Sequence, residues 1–237
     1  IEPITKNFDP IIESSEWSPR DSMIYFRTTD KDFVKMYVYN PGNKSFTKLP
    51  LNEEVTRSFS MADNAPVAVY NGVSRSNSTR AYLYDMKNRK STLIADPYKD
   101  RLSEMELGKV EDWNFTNSDG ITISGSCYLP PNFDPSKKYP MIVYYYGGTT
   151  PTSRTFEGPY PPHVFASQGY VTYVIQPSGA MGFGQKFAAL HVNAWGKRTA
   201  EDIIEGVQQF VKEHPYVNYK KIGCIGASYG GFMTMYL

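Results

Sequence analysis

The sequence predicts an all-β first half, followed by a half in which strands and helices alternate. Short strands separated by polar turns run from Phe8 to about Asp96, whereas apolar strands alternate with helical segments after that point. The chain has 237 residues, which is enough for one large or two modest domains. We therefore divide it into residues 1–101 and residues 102–237.

The first half contains six predicted strands of four to six residues each. They cover residues 23–26, 35–39, 45–49, 67–70, 81–84 and 91–94. Polar turns at residues 40–43 and 85–88 lie where hairpins should close. The chain is rich in tyrosine, with 19 tyrosines against 3 tryptophans, and this composition favours sheets and also lines substrate clefts.

An internal repeat organises these strands. Trp17, Ser18 and Asp21 align with Phe59, Ser60 and Asp63 at an offset of 42, and residues 37–40 align with residues 82–85 at an offset of 45. A period of about 40–45 residues with four strands per unit is typical of β-propeller blades. Since propellers need at least about four blades, we predict that residues 1–101 are the last blades of a propeller that begins upstream. A plain antiparallel sandwich is the alternative.

The second half follows a β/α pattern. Strands are predicted at residues 110–115 and 121–129, joined by a turn at 117–120, and buried strands at 141–146 and 170–176. The clearest helix covers residues 199–214, with Thr199 as its N-cap, Glu201 and Asp202 near its positive end, and Pro215 after it. Its predicted apolar face consists of Ile203, Ile204, Val207, Phe210 and Val211. The alternation predicts a parallel sheet with helices on its faces.

The most informative stretch is Gly226-Ala227-Ser228-Tyr229-Gly230, which matches the G-x-S-x-G nucleophile elbow. It follows a short apolar run, residues 222–225, and precedes an apolar helix. The elbow is a strained strand-to-helix turn, so small residues are needed on both sides of the serine. We therefore predict that Ser228 is a nucleophile on an α/β-hydrolase sheet and that the Tyr229 backbone N–H is one oxyanion donor.

A second oxyanion donor is predicted at the end of the earlier strand. The segment at residues 143–148 ends in Tyr146-Gly147-Gly148 and lies about eighty residues before Ser228, where hydrolases of this fold place their oxyanion loop. A tyrosine hydroxyl is a neutral donor, so it can enter a site without adding charge.

Several motifs in this order give the chain its resemblance to the prolyl oligopeptidase family of serine peptidases. They are Asp119-Gly120, residues 128–131, residues 138–143, Tyr146-Gly147-Gly148, residues 182–184, Asp202 with Gly206, and residues 226–231. The family joins a propeller to an α/β-hydrolase domain and includes dipeptidyl-peptidases, acylaminoacyl-peptidases and oligopeptidases. The resemblance covers nearly the whole chain.

The resemblance implies roles for three residues. Ser228 resembles the nucleophile, the Tyr229 N–H one oxyanion donor, and Tyr146 the tyrosine whose hydroxyl is the other donor in dipeptidyl-peptidases and oligopeptidases. Acylaminoacyl-peptidases usually have histidine at that place. Two turns depart from the family pattern, namely Gly147-Gly148-Thr149 and residues 176–179, which replace a proline-ended loop and an Arg-Gly turn. Both departures leave substrate preference open.

The catalytic Asp and His are expected downstream of this chain, since hydrolases of this fold supply the triad in the order Ser, Asp, His. The three histidines, His163, His191 and His214, all precede Ser228. We interpret His214 as completing the negative end of its helix, and His163 and His191 as residues of loops or polar stretches. Because both ends of the sequence look internal, we expect the chain to be a fragment that is inactive by itself.

Other features exclude several function classes. A net charge of +1 points neither to nucleic acid nor to an acidic partner. Cys127 and Cys224 are interpreted as two buried thiols, no metal or cofactor is expected, and no apolar run is long enough to span a membrane. Glu53-Glu54 is similar to the glutamate pair that holds a substrate amine in dipeptidyl-peptidases. Its context differs, so we interpret it as a solvated charge run.

The sequence therefore predicts a serine peptidase acting on short peptides. The alternatives are an esterase or lipase on the same fold, and a propeller-based binding protein whose hydrolase half is inactive. The sequence leaves open a homodimer, the compartment (cytoplasmic or secreted), the P1 preference, and exo- versus endopeptidase action.

Overall fold

The computed structural model describes residues 2–237, and Ile1 lies outside the described residues. The chain forms two compact units. The first contains the N-terminal residues up to Glu104 together with Ser153–Phe156 and Gly182–Gly184. The second contains Met105–Thr152, Glu157–Met181 and Gln185–Leu237.

The first unit is built from one sheet of eight strands and a short helix. The strands are β1 Ile11–Ser18, β2 Met23–Asp30, β3 Phe33–Asn40, β4 Ser45–Lys48, β5 Val55–Met61, β6 Val67–Ser74, β7 Asn77–Asp85 and β8 Lys90–Ala95, and the helix is α1 Lys99–Ser103. Consecutive strands pair antiparallel within β1–β4 and within β5–β8. A parallel bridge between Val34 and Val55 joins the two groups.

The strand prediction for this unit was incomplete, because β1 and β5 were missed. Serine and glutamate interrupt β1, and threonine, arginine and serine interrupt β5, so the apolar alternation is weak; β1 is also exposed over most of its length. The repeat nevertheless aligns strands at equivalent places. Trp17 and Phe59 lie in β1 and β5, the first strands of the two groups, whereas the second aligned pair of segments lies in β3 and β7. The two groups share a core that includes the stacked rings of Tyr70 and Tyr82.

The second unit contains a six-stranded sheet and four helices. The elements are β9 Val110–Asp112, β10 Phe115–Thr116, β11 Thr122–Tyr128, β12 Tyr139–Tyr144, α2 Pro162–Ser167, β13 Val171–Gln176, α3 Gln185–Ala189, α4 Lys197–Glu213, β14 Val217–Ile225 and α5 Tyr229–Tyr236. The expectation of a parallel sheet is wrong for part of it. Strands β13, β12 and β14 are parallel neighbours, but β11 pairs antiparallel with β13 and with β9. The tight turn between β10 and β11 reverses the chain, which accounts for the antiparallel pairing of β11 with β10 and β9.

The parallel strands lie in the centre of the unit, and all six residues of β13 are buried. Its Tyr173 stacks on Phe210 of α4, whereas its Val174 belongs to a separate cluster with Ala166 of α2. Successive side chains of a strand point to opposite faces of the sheet. The sheet is therefore covered on both faces, as the continuous apolar run predicted.

The start of helix α4 differs from the prediction. It begins at Lys197, after Gly196, and Thr199 is not its N-cap. Thr199 is fully buried, and its hydroxyl donates to the carbonyl oxygen of Gly147 at 3.3 Å. Asp202 is also buried and accepts hydrogen bonds from the Asn117 side chain and from the Ser178 N–H, each at 2.7 Å, so it links two loops instead of serving the helix end.

The apolar face of α4 is narrower than predicted. Ile203 and Phe210 are buried, and Val207 and Val211 pack against the same core. Ile204, however, is 47% exposed. Among residues 2–237, none of the helices is both long and apolar enough to cross a membrane.

Candidate functional site

Ser228 occupies a strained turn between β14 and α5. Its φ is 54° and its ψ is −116°, in a region that residues with a side chain rarely adopt. Such conformations cost on the order of 1–3 kcal/mol and concentrate at functional sites. Within residues 2–237, the Ser228 side chain forms no capping hydrogen bond with α5, and the residue is exposed. The turn therefore presents its hydroxyl to solvent, as an elbow requires.

The turn is closed by direct contact between backbones. A β-carbon on Gly226 would lie 2.6 Å from the Tyr145 carbonyl oxygen, and one on Gly230 would lie 2.7 Å from the same atom. Real β-carbons essentially never approach other atoms this closely. The two glycines of the motif are therefore needed because the segment that follows β12 passes against both of them.

That segment carries Tyr146, the predicted second oxyanion donor. Strands β12 and β14 are parallel and in register, with Tyr144 opposite Ile225, so their carboxyl ends meet at the same edge of the sheet. Tyr145 is fully buried, and Tyr146 is partly exposed. The chain thus brings the predicted donor segment beside the elbow.

Gly148 lies between two tyrosine rings of the site. A β-carbon there would lie 2.8 Å from Cε1 of Tyr146 and 3.3 Å from Cγ of Tyr229. Gly148 therefore allows the ring of Tyr146 to lie near the residue that follows Ser228. A glycine is therefore required at position 148 for steric reasons.

Tyr229 is the first residue of α5, a position whose backbone N–H has no partner within the helix. Its side chain is held separately, because its hydroxyl accepts a hydrogen bond from the Gly196 N–H at 2.9 Å. Its ring contacts His191 and Trp195 with centroid separations of 5.2 Å and 5.3 Å. The backbone of Tyr229 thus stays at the turn while its side chain anchors the start of α5.

His163 lies in a helix, so its interpretation as a loop residue is wrong, whereas His191 lies in the turn that follows α3, as expected. Both side chains are buried. His163 lies in α2, edge-on to the Tyr128 ring. Burial lowers the pKa of His191, and its Nδ1 has no hydrogen-bond partner among the described residues.

The expectation for His214 is confirmed. It follows the last residue of α4, and its N–H and Nδ1 both approach the Phe210 carbonyl oxygen, at 2.9 Å and 2.8 Å.

The pair Glu53-Glu54 is not a solvated charge run. The Glu53 side chain is 6% exposed and accepts hydrogen bonds from the Tyr82 hydroxyl and the Asn77 amide. Glu54 is paired with Arg75 at 2.8 Å and with Arg154 at 3.0 Å. The sequence could not reveal these partners, because they lie between 21 and 100 residues away.

Both cysteines are free thiols, and the interpretation of both as buried is confirmed for Cys127 and wrong for Cys224. Cys127 is buried, and burial raises the pKa of its thiol to about 12, whereas Cys224 is half-buried. Over residues 2–237, the structure contains no group of three or more His, Cys, Asp or Glu side chains placed to hold a metal ion.

Sequence reasoning missed three residues that fix the Tyr146 segment. Thr199 binds the Gly147 carbonyl, as described above. Thr152 accepts a hydrogen bond from the Tyr146 N–H at 3.2 Å, and Gln176 binds the backbone of Thr152. The available signal was the amide side chain of Gln176 at the end of a buried strand.

Comparison with known proteins shows what this chain is similar to. Residues 158–237 match the family model described as "Prolyl oligopeptidase family". A dipeptidyl-peptidase 5 of Porphyromonas gingivalis is 27% identical over 99% of this chain and 34% of its own length. A dipeptidyl-peptidase 5 of Schizosaccharomyces pombe is 30% identical over 62% of the chain and 24% of its own length. The chain is thus similar to proteins named dipeptidyl-peptidases over a part of their length.

The chain also shares its fold with solved peptidase structures. An acylaminoacyl peptidase from Pyrococcus horikoshii superimposes with a TM-score of 0.86 at 20% identity, covering 100% of this chain and 36% of that structure. Porphyromonas gingivalis dipeptidyl peptidase 4 gives a TM-score of 0.82 at 19% identity, covering 98% and 33%. The chain is thus similar in sequence to the prolyl oligopeptidase family over residues 158–237, and these two solved peptidases share its fold. It spans between about a quarter and about a third of the length of these relatives.

Proposed function

We propose that the protein containing this chain is a serine peptidase that hydrolyses short peptides through an acyl-enzyme on Ser228. The observation that carries the proposal is the left-handed backbone of the exposed Ser228, between a strand and a helix, with both flanking glycines pressed against Tyr145. An unrelated glycine-rich turn has no need for a strained, exposed serine at its tip.

In the proposed mechanism, Ser228 attacks the scissile carbonyl, and a histidine oriented by an aspartate takes its proton. Both of these residues are expected downstream of residue 237. The Tyr229 amide and the Tyr146 hydroxyl stabilise the oxyanion of the tetrahedral intermediate. Water then releases the acyl group from Ser228.

The substrate proposal rests on the relatives. Several of them are named dipeptidyl-peptidases, and a tyrosine at position 146 fits the dipeptidyl-peptidase and oligopeptidase branches. We propose that residues 1–101 are the last blades of a propeller and that residues 102–237 are the first part of an α/β-hydrolase domain. The two antiparallel groups of four strands and the parallel centre of the second sheet support this proposal.

Labelling with a fluorophosphonate probe tests the nucleophile in the protein as it occurs naturally. We expect one equivalent of probe, found on the peptide that contains Ser228, and none in the Ser228→Ala variant. Unlabelled Ser228 in a folded protein would favour the binding-protein alternative.

Substrate panels separate the enzyme classes. Dipeptidyl p-nitroanilides and longer blocked peptides report peptidase action, and p-nitrophenyl acyl esters of several chain lengths report esterase action. Because activated esters are also hydrolysed by many peptidases, the deciding result is amide hydrolysis. Turnover of esters without any amide would replace the peptidase proposal with the esterase one.

The role of Tyr146 is tested by Tyr146→Phe, which removes one hydroxyl. We expect kcat to fall on the order of 100-fold with KM nearly unchanged, because the bond is made to the transition state. Unchanged turnover would remove Tyr146 from the mechanism.

A further inference from the structure

We propose that Gln176 is a positioning residue for the reaction, and that it acts on Tyr146 through Thr152. The inference rests on the function proposed above. All the hydrogen bonds on which the inference is based lie inside the second unit. It also assigns a role to a turn that departs from the usual Arg-Gly pattern of the family.

The Gln176 side chain forms two hydrogen bonds with the backbone of Thr152. Its Oε1 accepts from the Thr152 N–H at 2.8 Å, and its Nε2 donates to the Thr152 carbonyl oxygen at 2.7 Å. An amide is a neutral side chain that supplies one donor and one acceptor side by side, so it can pair with a peptide unit as a neighbouring strand would. Gln176 is 2% exposed, and at such burial both groups need partners.

Gln176 is itself rigidly placed. It is the last residue of β13, which lies between β11 and β12 in the sheet, and it pairs with Ser124. Its position is therefore set by the sheet and not by the loop that it holds.

Thr152 transmits the constraint to Tyr146. It is 8% exposed, and its hydroxyl oxygen accepts the hydrogen bond from the Tyr146 N–H at 3.2 Å. The segment from Tyr146 to Thr152 is thus closed on itself by one side chain, and the residue that closes it is fixed by Gln176. Without Gln176, the hydrogen bond that closes the segment would lose its fixed anchor.

Two further hydrogen bonds hold the middle of the same segment. The Thr199 hydroxyl donates to Gly147 O at 3.3 Å, and the Met181 N–H donates to Thr149 O at 2.7 Å. Loss of Gln176 should therefore displace the Tyr146 end without unfolding the whole segment. An oxyanion donor must lie within tenths of an ångström of its acceptor to be fully effective, and a misplacement of about 1 Å can cost 100-fold.

The test uses the natural protein and a panel of dipeptidyl p-nitroanilides. Gln176→Met keeps the length of the side chain and removes both hydrogen bonds, and Thr152→Val keeps the shape and removes the acceptor. We expect kcat to fall about 10-fold or more in each, with KM within about twofold. Thr152→Ser keeps the hydroxyl and should restore turnover, and thermal unfolding midpoints report whether each variant is folded.

The deciding measurement is a double-mutant cycle with Tyr146→Phe. If Gln176 acts through Tyr146, Gln176→Met should lower kcat little further once the Tyr146 hydroxyl is gone. An equal loss in both backgrounds, or no loss in either, overturns the role of Gln176 while the effect of Tyr146→Phe upholds the proposed function. If Tyr146→Phe itself leaves kcat unchanged, the proposed role of Tyr146 fails, and the inference about Gln176 fails with it.

Discussion

A β-carbon on Gly226 would lie 2.6 Å from the carbonyl oxygen of Tyr145. The two residues stand 81 positions apart in the sequence, yet their contact joins the serine turn to the segment that carries Tyr146. The backbone at this place is packed so closely that even one methyl group has no room.

Gly226→Ala should therefore disturb the turn around Ser228 more than it disturbs the preceding strand β14. We expect a lower thermal unfolding midpoint and a loss of at least about 10-fold in the rate of fluorophosphonate labelling, because the turn must move away from Tyr145. Gly223→Ala is the matched control, since a β-carbon there meets nothing within 4 Å. Equal labelling of the two variants would contradict the steric role of Gly226.

The strain at Ser228 can be separated from its chemistry. Ser228→Ala and Ser228→Gly both lack the hydroxyl and should both be unlabelled, but only glycine adopts a φ of 54° with a ψ of −116° freely. We expect the glycine variant to be more stable than the alanine variant by about 1 kcal/mol in urea unfolding. An alanine variant of equal stability would show that the turn stores no strain.

Arg154 is expected to be essential for the stability of the first unit. Its guanidinium pairs with Asp32 at 2.8 Å and with Glu54 at 3.0 Å, and only 6% of its side chain is exposed. Arg154→Met removes the cation that faces the buried Asp32 carboxylate, and removing one partner of a buried ion pair typically costs about 3–5 kcal/mol.

Lys44→Met provides the matched control for this variant. Lys44 pairs with Glu2 at the surface, where both side chains are mostly exposed, and such pairs contribute little. Similar urea unfolding midpoints for Arg154→Met and Lys44→Met would refute the importance of the buried pair.

The same cluster should make stability depend on pH in the acid range. Burial alone would raise the pKa of Glu54, but the hydrogen bonds from Arg75 and the nearby arginine charges outweigh it and hold the pKa below its ordinary value of 4.5. The stabilisation is therefore complete above about pH 4.5 and is lost as the pH falls towards the lowered pKa. Glu54→Gln should weaken the pH dependence of the unfolding midpoint between pH 5 and about pH 3. A variant whose midpoint depends on pH as strongly as that of the parent protein would contradict the assignment.

The thiol of Cys127 should be unreactive in the native protein. Burial raises the pKa of Cys127 to about 12, so the reactive thiolate is rare at neutral pH. We expect iodoacetamide to leave Cys127 unmodified in the native protein and to modify it after denaturation, as measured by peptide mass spectrometry. Fast native modification of Cys127 would mean that this strand opens readily.

Much of the local structure could be predicted because its signals lie within a few residues. The apolar run of β13, the hairpin turns of the first unit and the amphipathic face of α4 are each set by short-range spacing. Strands β1 and β5 were missed because exposed polar residues hide their alternation. The serine turn was found because its glycines and serine are adjacent in the sequence.

What the sequence by itself determined was the set of local elements, the serine turn and the family resemblance, since each depends on residues close together or on ordered motifs. Only the tertiary structure decided that Thr199 binds Gly147 instead of capping a helix, that Glu54 meets Arg154, and that Gln176 holds Thr152. These contacts join residues between 24 and 100 positions apart. Such pairs are chosen by the path of the chain through the sheet and by the need of buried polar groups for partners, and no local pattern encodes them.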